Sequence, residues 1–143
     1  MIEDRLAAAG LPPLPRTAWL EIDLDAISAN LRFLRELAGA SVPIHPVVKA
    51  DAYGHGAIPV ARALVRAGAD GLCVATLDEA LALREGAIGG PVHVLYPIPA
   101  SGVADAAVHG LSVTVGDRTS EDRLLAAVAD LPGDTSALAV HVE

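Results

Sequence analysis

From Ile44 onward the chain repeats one pattern: a short apolar run, a turn, an amphipathic helical stretch and a glycine. The runs near 44 to 49, 71 to 75, 92 to 95, 112 to 115 and 137 to 142 read as strands. They are continuously apolar, as strands covered on both faces are, and four helices fill the gaps between them. The clearest helix starts at Thr76-Leu77-Asp78-Glu79, a T-x-x-E capping box that leads into Ala80 to Leu83 and ends at Gly86. A second starts at Thr119-Ser120-Glu121-Asp122 with Leu124, Leu125 and Val128 behind it, and another follows Gly56 with Ile58, Ala61 and Val65 before Gly68. Short strands alternating with helices require parallel pairing, so the class is α/β. The first strand is the weakest, because Pro46 lacks a ladder donor and belongs at a strand's start or edge.

Upstream of the repeat, residues 1 to 16 read as a short helix or frayed tail running into a linker stiffened by Pro12, Pro13 and Pro15. Structure is expected from Thr17. Trp19, Glu21 and Asp23 alternate with Leu20, Ile22 and Leu24 at the strand period, and Asp25 then stands as an N-cap. Ile27, Leu31, Leu34 and Ala38 form one apolar helical stripe that Gly39 stops.

Two α/β architectures compete. A closed eight-stranded barrel takes about 250 residues, whereas a doubly wound sheet needs fewer, so a length of 143 prefers the second. Against it, no G-x-G-x-x-G or G-x-x-x-x-G-K-[ST] loop follows any strand, and nucleotide binding has no support. A formal charge of −8 without a basic cluster leaves no electrostatic footprint for nucleic acid or an anionic membrane. No charge-free stretch reaches the roughly 18 residues of a membrane span, and Glu3, Asp4 and Arg5 do not make a signal peptide. The one cysteine, Cys73, sits in a strand run and cannot form an intramolecular disulfide, so a reducing compartment, the cytoplasm, is expected.

The unusual chemistry is concentrated in Val47-Val48-Lys49-Ala50-Asp51-Ala52-Tyr53-Gly54-His55-Gly56. Nine of the ten cationic residues are arginines, and Lys49 is the only lysine. It falls at the carboxyl end of an expected parallel strand, the end where barrels carry catalytic groups. Val48 and Ala50 beside it would partly desolvate the amine, which favours its neutral, nucleophilic form. Tyr53 supplies a phenol, and Gly54 and Gly56 leave backbone N–H groups open to an anion. A carbonyl cofactor bearing a phosphate meets both features. The residues alone equally allow a Lys49 that snorkels to the rim, a Tyr53 with a wet tip and glycines that merely turn the chain.

The segment V-V-K-A-D-A-Y-G-H-G resembles the pyridoxal-phosphate lysine motif of bacterial alanine racemases. The resemblance extends upstream to Arg16 through Ile27 with Asn30-Leu31, and downstream to Ala75 through Ala80 and Val92-His93-Val94-Leu95. It implies a partial (β/α)8 barrel of about four to five βα units plus an N-terminal strand. Residues 17–143 would form that barrel portion and 1–16 the tail. It further implies that Lys49 holds pyridoxal 5'-phosphate as a Schiff base and moves the α-proton on the D-alanine face. Tyr53 would hydrogen-bond the phosphate, and Val47 and Leu95 would line the pocket. The implied function is interconversion of L- and D-alanine for cell-wall synthesis by a cytoplasmic homodimer.

The second base of the family, a tyrosine from the partner's carboxy-terminal β-domain, is absent from these residues. So is the D-T-G-M-G-R segment whose arginine supports the cofactor, because the sequence reaches only His141-Val142-Glu143. Truncation, with two open strand edges and no racemisation by the 143 residues alone, is therefore expected. Glu143 falls where many relatives carry a lysine that becomes carbamylated, and a glutamate there would offer the missing arginine a similar charge. The resemblance leaves room for a racemase of serine, ornithine or lysine, and for a non-catalytic pyridoxal-phosphate homeostasis protein.

Other polar residues have simpler readings. His45, His55, His93, His109 and His141 lack metal-site spacing, so no metal is expected. Cys73 reads as an inert core thiol. Asp23 with Asp25, and Asp78 with Glu79, complement helix dipoles.

Overall fold

The strands stand in chain order. The structure, a computed structural model, describes residues 1–15, 18–131 and 138–143. Its sheet runs β1 (Leu72–Val74), β2 (Val92–Val94), β3 (Leu111–Val115), β4 (Ala139–Val142), every neighbouring pair parallel. On the free side of β1, Val47 forms a single parallel bridge to Cys73. A doubly wound sheet reverses its strand order at a switch point, whereas this one advances one strand at a time, as the wall of a barrel does. The fold is a partial (β/α)8 barrel. The strand expected over 44 to 49 shrinks to that bridge for the reason its proline supplies: Pro46 offers a carbonyl to the Cys73 N–H (2.9 Å) but no donor of its own.

The helices are α1 (Ile2–Ala8), α2 (Leu24–Ala38), α3 (Lys49–Gly54), α4 (Ala57–Arg66), α5 (Leu77–Glu85), α6 (Val103–Val108) and α7 (Arg118–Ala129), with a 3₁₀ turn at Ala100–Gly102 before α6. The T-x-x-E signal forms a capping box on α5, with Thr76 as N-cap and Gly86 at the end. In α7 the cap is Asp117 rather than Thr119: its Oδ1 accepts the Ser120 N–H at 2.6 Å, and Ser120 Oγ accepts the Asp117 N–H in return.

In β1, β2 and β3 every other residue enters one apolar cluster. Leu72, Val74, Val92, Val94, Leu111, Val113 and Val115 pack with Val60, Leu64, Leu83, Val103 and Leu124 from the helices. Each fully buried leucine or valine contributes about 1.5–3 kcal/mol. The alternate residues, Cys73, His93, Ser112 and Thr114, lie outside that cluster. Helices therefore cover one face, not both as the apolar runs suggested. Crossovers of one hand between successive neighbours keep every helix on the same side of the sheet.

The upstream segment departs from expectation. Residues 18–23 form no strand, and Trp19 and Leu20 are exposed. No parallel or antiparallel neighbour reaches them among the described residues, and an extended segment alone gains nothing from its alternation. Asp23 becomes the N-cap of α2 in place of Asp25, its Oδ1 accepting the Asp25 and Ala26 N–H groups at 3.0 and 2.9 Å. The apolar stripe of α2 buries only its first half: Leu31 is enclosed, whereas Leu34 and Ala38 are exposed. The expected start at Thr17 and the first residue of the last expected strand, Ala137, lie outside the described residues.

Candidate functional site

Two backbone bonds lash the lysine segment to the sheet. Besides the Pro46 carbonyl bond, the Val48 N–H donates to the Cys73 carbonyl at 2.8 Å, and the Val48 side chain is 2% exposed. Lys49 is thereby delivered to the carboxyl rim of β1. The chain then does something that propensity disfavours: Ala50, Asp51, Ala52 and Tyr53 take φ of 50°, 54°, 52° and 55°, one left-handed turn without a glycine. Left-handed backbone costs about 1–2 kcal/mol per residue with a Cβ. Such strain persists only where surrounding bonds over-determine it.

Those bonds are present. The Ala52 N–H donates to the Val48 carbonyl at 3.0 Å, and the Ala57 N–H donates to Asp51 Oδ1 at 2.6 Å, tying the turn to the first residue of α4. An asparagine in place of Asp51 would offer the same acceptor oxygen. The Ala50 N–H donates to Glu79 Oε1 at 2.6 Å, while Glu79 Oε2 accepts the Ala75 and Thr76 N–H groups at 2.8 and 3.3 Å. Gly54 and Gly56, at φ 84° and 88°, release the chain into α4.

Lys49 is half-buried, and its Nζ lies 5.8 Å from the centroid of the Tyr96 ring. That is within cation–π range and worth about 0.5–1 kcal/mol at an exposed site. Tyr96 follows β2, where its N–H donates to the Ala75 carbonyl at 3.1 Å. The Leu95 N–H donates to Val74 at 2.8 Å, so Leu95 and Lys49 flank the end of β1. Tyr53 ends the left-handed turn and is 61% exposed. Val47 is placed differently: with Ile27, Leu31, Leu34, Val60 and Leu64 it lines an apolar cavity of about 320 Å³ between the lysine segment and helices α2 and α4, to which Lys49 does not contribute.

On the face of the sheet away from the helices, His93 sits between two hydroxyls, Nδ1 3.1 Å from Ser112 Oγ and Nε2 3.2 Å from Thr114 Oγ1, with the His141 ring centroid 4.0 Å away. Burial, and next the neighbouring His141, push the His93 pKa below its usual value. Cys73 is the buried thiol expected, and desolvation raises its pKa.

Sequence reasoning missed Tyr96 and the second reach of Glu79. Tyr96 was findable, since it stands just past the carboxyl end of an expected strand, on the same rim as Lys49. Nothing in the T-x-x-E signal announces that the glutamate also reaches Ala50.

Comparisons with known proteins match the sequence and the fold. Residues 22–143 match the family described as alanine racemase, N-terminal domain. Over 133 residues the chain is 48% identical to an alanine racemase of Mycolicibacterium smegmatis, covering 92% of this chain and 34% of that protein. An alanine racemase of Bacillus anthracis solved with bound L-Ala-P superposes with a TM-score of 0.80 at 38% identity, covering 91% of this chain and 33% of the other. A histidine racemase of Leuconostoc mesenteroides gives a TM-score of 0.77 at 27% identity over 90% of this chain and 33% of that one. The chain thus spans about a third of the length of the relatives it matches.

Proposed function

The chain belongs to the alanine racemase N-terminal domain family, and from that membership we propose that a protein carrying it is a pyridoxal-phosphate-dependent isomerase interconverting L- and D-alanine. The reading rests on one observation above others: the only lysine of the chain stands half-buried at the carboxyl rim of the barrel wall, its amine 5.8 Å from the Tyr96 ring.

The donor set suits such a cofactor. Lys49 offers a primary amine to the aldehyde, Tyr53 a phenol to the phosphate, and Leu95 an apolar flank, whereas Val47 faces the separate cavity against α2 and α4. When bound, pyridoxal phosphate supplies an electron sink that lets the Cα–H bond of an amino acid ionise. Lys49 would hold the cofactor at Nζ, and the same nitrogen would carry the Cα proton on the D-alanine face. Tyr53 would donate its O–H to the phosphate. The left-handed turn keeps Lys49 and Tyr53 in one rigid segment, so the reacting group and the anchor share a frame. Residues 17–143 form the barrel portion, with 1–16 a tail outside it, and the assembly proposed is the homodimer of the family. In a protein carrying this chain, Glu143, which follows β4, would pair with the arginine that the family's pattern places downstream.

Incubation with pyridoxal phosphate, borohydride reduction and peptide mapping tests the reading. A pyridoxyl label on the peptide containing Lys49 is expected, and a label confined to the terminal amine overturns it. The similarity to a histidine racemase favours one further comparison, racemisation rates of a full-length protein on alanine, histidine, serine, ornithine and lysine. Alanine is expected to have the highest kcat/KM. No helix among the described residues is long and apolar enough to cross a membrane.

A further inference from the structure

We propose that Glu79 is the positioning residue for Lys49, one carboxylate referencing both the lysine and the Tyr96 ring to the end of β1. The proposal rests on Lys49 being the cofactor lysine and extends that reading to how the amine is aimed. A capping box asks of its glutamate only a bond to the N-cap N–H. Glu79 meets that need through Oε2 on Thr76, at 3.3 Å, its longest bond. Its two shortest go elsewhere: Oε1 to the Ala50 N–H at 2.6 Å and Oε2 to the Ala75 N–H at 2.8 Å.

Each of these amides is informative because a peptide unit is planar. The Ala50 N–H lies in the plane that also contains the Lys49 carbonyl, so holding that hydrogen fixes the peptide from which the lysine departs. The Thr76 N–H, which Oε2 also accepts, lies in the plane of the Ala75 carbonyl that accepts the Tyr96 N–H at 3.1 Å, and the Ala75 N–H lies in the plane of the Val74 carbonyl that accepts the Leu95 N–H at 2.8 Å. The amine and the ring it faces at 5.8 Å are thus tied to two oxygens of one side chain. Ala50 is also the first of the four left-handed residues, where the turn is most in need of an outside hold. Bonds of this kind, short and to an ionised acceptor, are about twice as strong as neutral ones.

Glutamine at this position keeps the shape but presents one oxygen and one N–H₂, which cannot accept. In Glu79→Gln the one oxygen stays with the two N–H groups of Ala75 and Thr76 and the N–H₂ faces the Ala50 N–H, so the tie to Ala50 is lost. Glu79→Asp keeps the charge and lacks the reach to span both. Thr76→Ala removes the other half of the capping box and leaves the link to Ala50 intact. Amide hydrogen exchange and the rate of borohydride-trapped labelling of Lys49 by pyridoxal phosphate separate the cases.

Glu79→Gln and Glu79→Asp are expected to speed exchange at Ala50 about tenfold and to slow Lys49 labelling about as much, whereas Thr76→Ala loosens the start of α5 and moves neither readout. Exchange at Ala50 and labelling both unchanged in the two Glu79 variants overturn the role of Glu79. So does a Thr76→Ala chain that matches them in both readouts. A wild-type chain that takes no label on Lys49 overturns the cofactor reading itself, a result distinct from a labelled wild type and equally labelled Glu79 variants.

Discussion

The chain leaves a parallel strand segment for a helix in two neighbouring places, after Val48 and after Val74, and it solves the two turns in opposite ways. After Val74 the turn is relaxed: Thr76 is extended, its capping box closes locally, and α5 begins at once. After Val48 the backbone winds left-handed through four residues with side-chain carbons and is held by Asp51 and Glu79. The relaxed turn can be written in four adjacent residues. The strained one depends on a carboxylate 29 positions away, and it is the one that carries the lysine. Strain concentrated where chemistry is expected, beside an unstrained twin, is what selection for geometry rather than stability leaves behind.

The largest way to sharpen the contrast is Lys49→Arg. It keeps the charge over Tyr96 and is expected to remove the pyridoxyl label except for any on the terminal amine while leaving the urea midpoint unchanged; total labelling equal to wild type would erase the distinction between the turns. Next is Asp51. Removing the acceptor in Asp51→Ala is expected to cost about 1 kcal/mol in denaturant unfolding, whereas Asp51→Asn stays close to wild type because its oxygen still accepts the Ala57 N–H.

A single substitution made in both regions tests the strain directly. Ala50→Gly relieves a left-handed Cβ and is expected to stabilise by about 0.5 kcal/mol, while Ala82→Gly, on the exposed side of α5, destabilises by a similar amount. Equal signs would break the comparison.

The smallest effect is in pH. Folding depresses the His93 pKa below 6.5, so the unfolded chain binds the proton more readily. Stability from this group is present above pH 6.5 and is lost as pH falls through that value toward the folded one. The midpoint difference between wild type and His93→Asn is therefore expected to narrow between pH 7.5 and pH 5.5.

The sequence made the sheet legible to within a residue or two, because β1, β2 and β3 are apolar runs whose burial is decided by composition alone. The α5 cap was equally plain, being local. What stayed hidden was set by distance or by missing neighbours. The 19–24 alternation has the strand period but no partner among the described residues, so Asp23 was free to cap α2. The left-handed turn runs against the preference of Ala50, Asp51, Ala52 and Tyr53, and no pattern in a window announces a fold imposed from outside it. Lys49, Val47, Tyr53 and Leu95 were named from family likeness; Tyr96 and Glu79 were not, since their part depends on three-dimensional adjacency to Lys49.

The imidazole of His93, straddled by hydroxyls two residues apart on the next strand, has a bearing on assembly of the wall. A slip of one residue between valine-rich strands is punished by turning every side chain over, but a slip of two restores the alternation and goes unnoticed by the apolar layer. It would move His93 off one of its two hydroxyls and leave a ring nitrogen unmatched. The polar seam acts as a vernier, distinguishing alignments that hydrophobicity alone treats as equal.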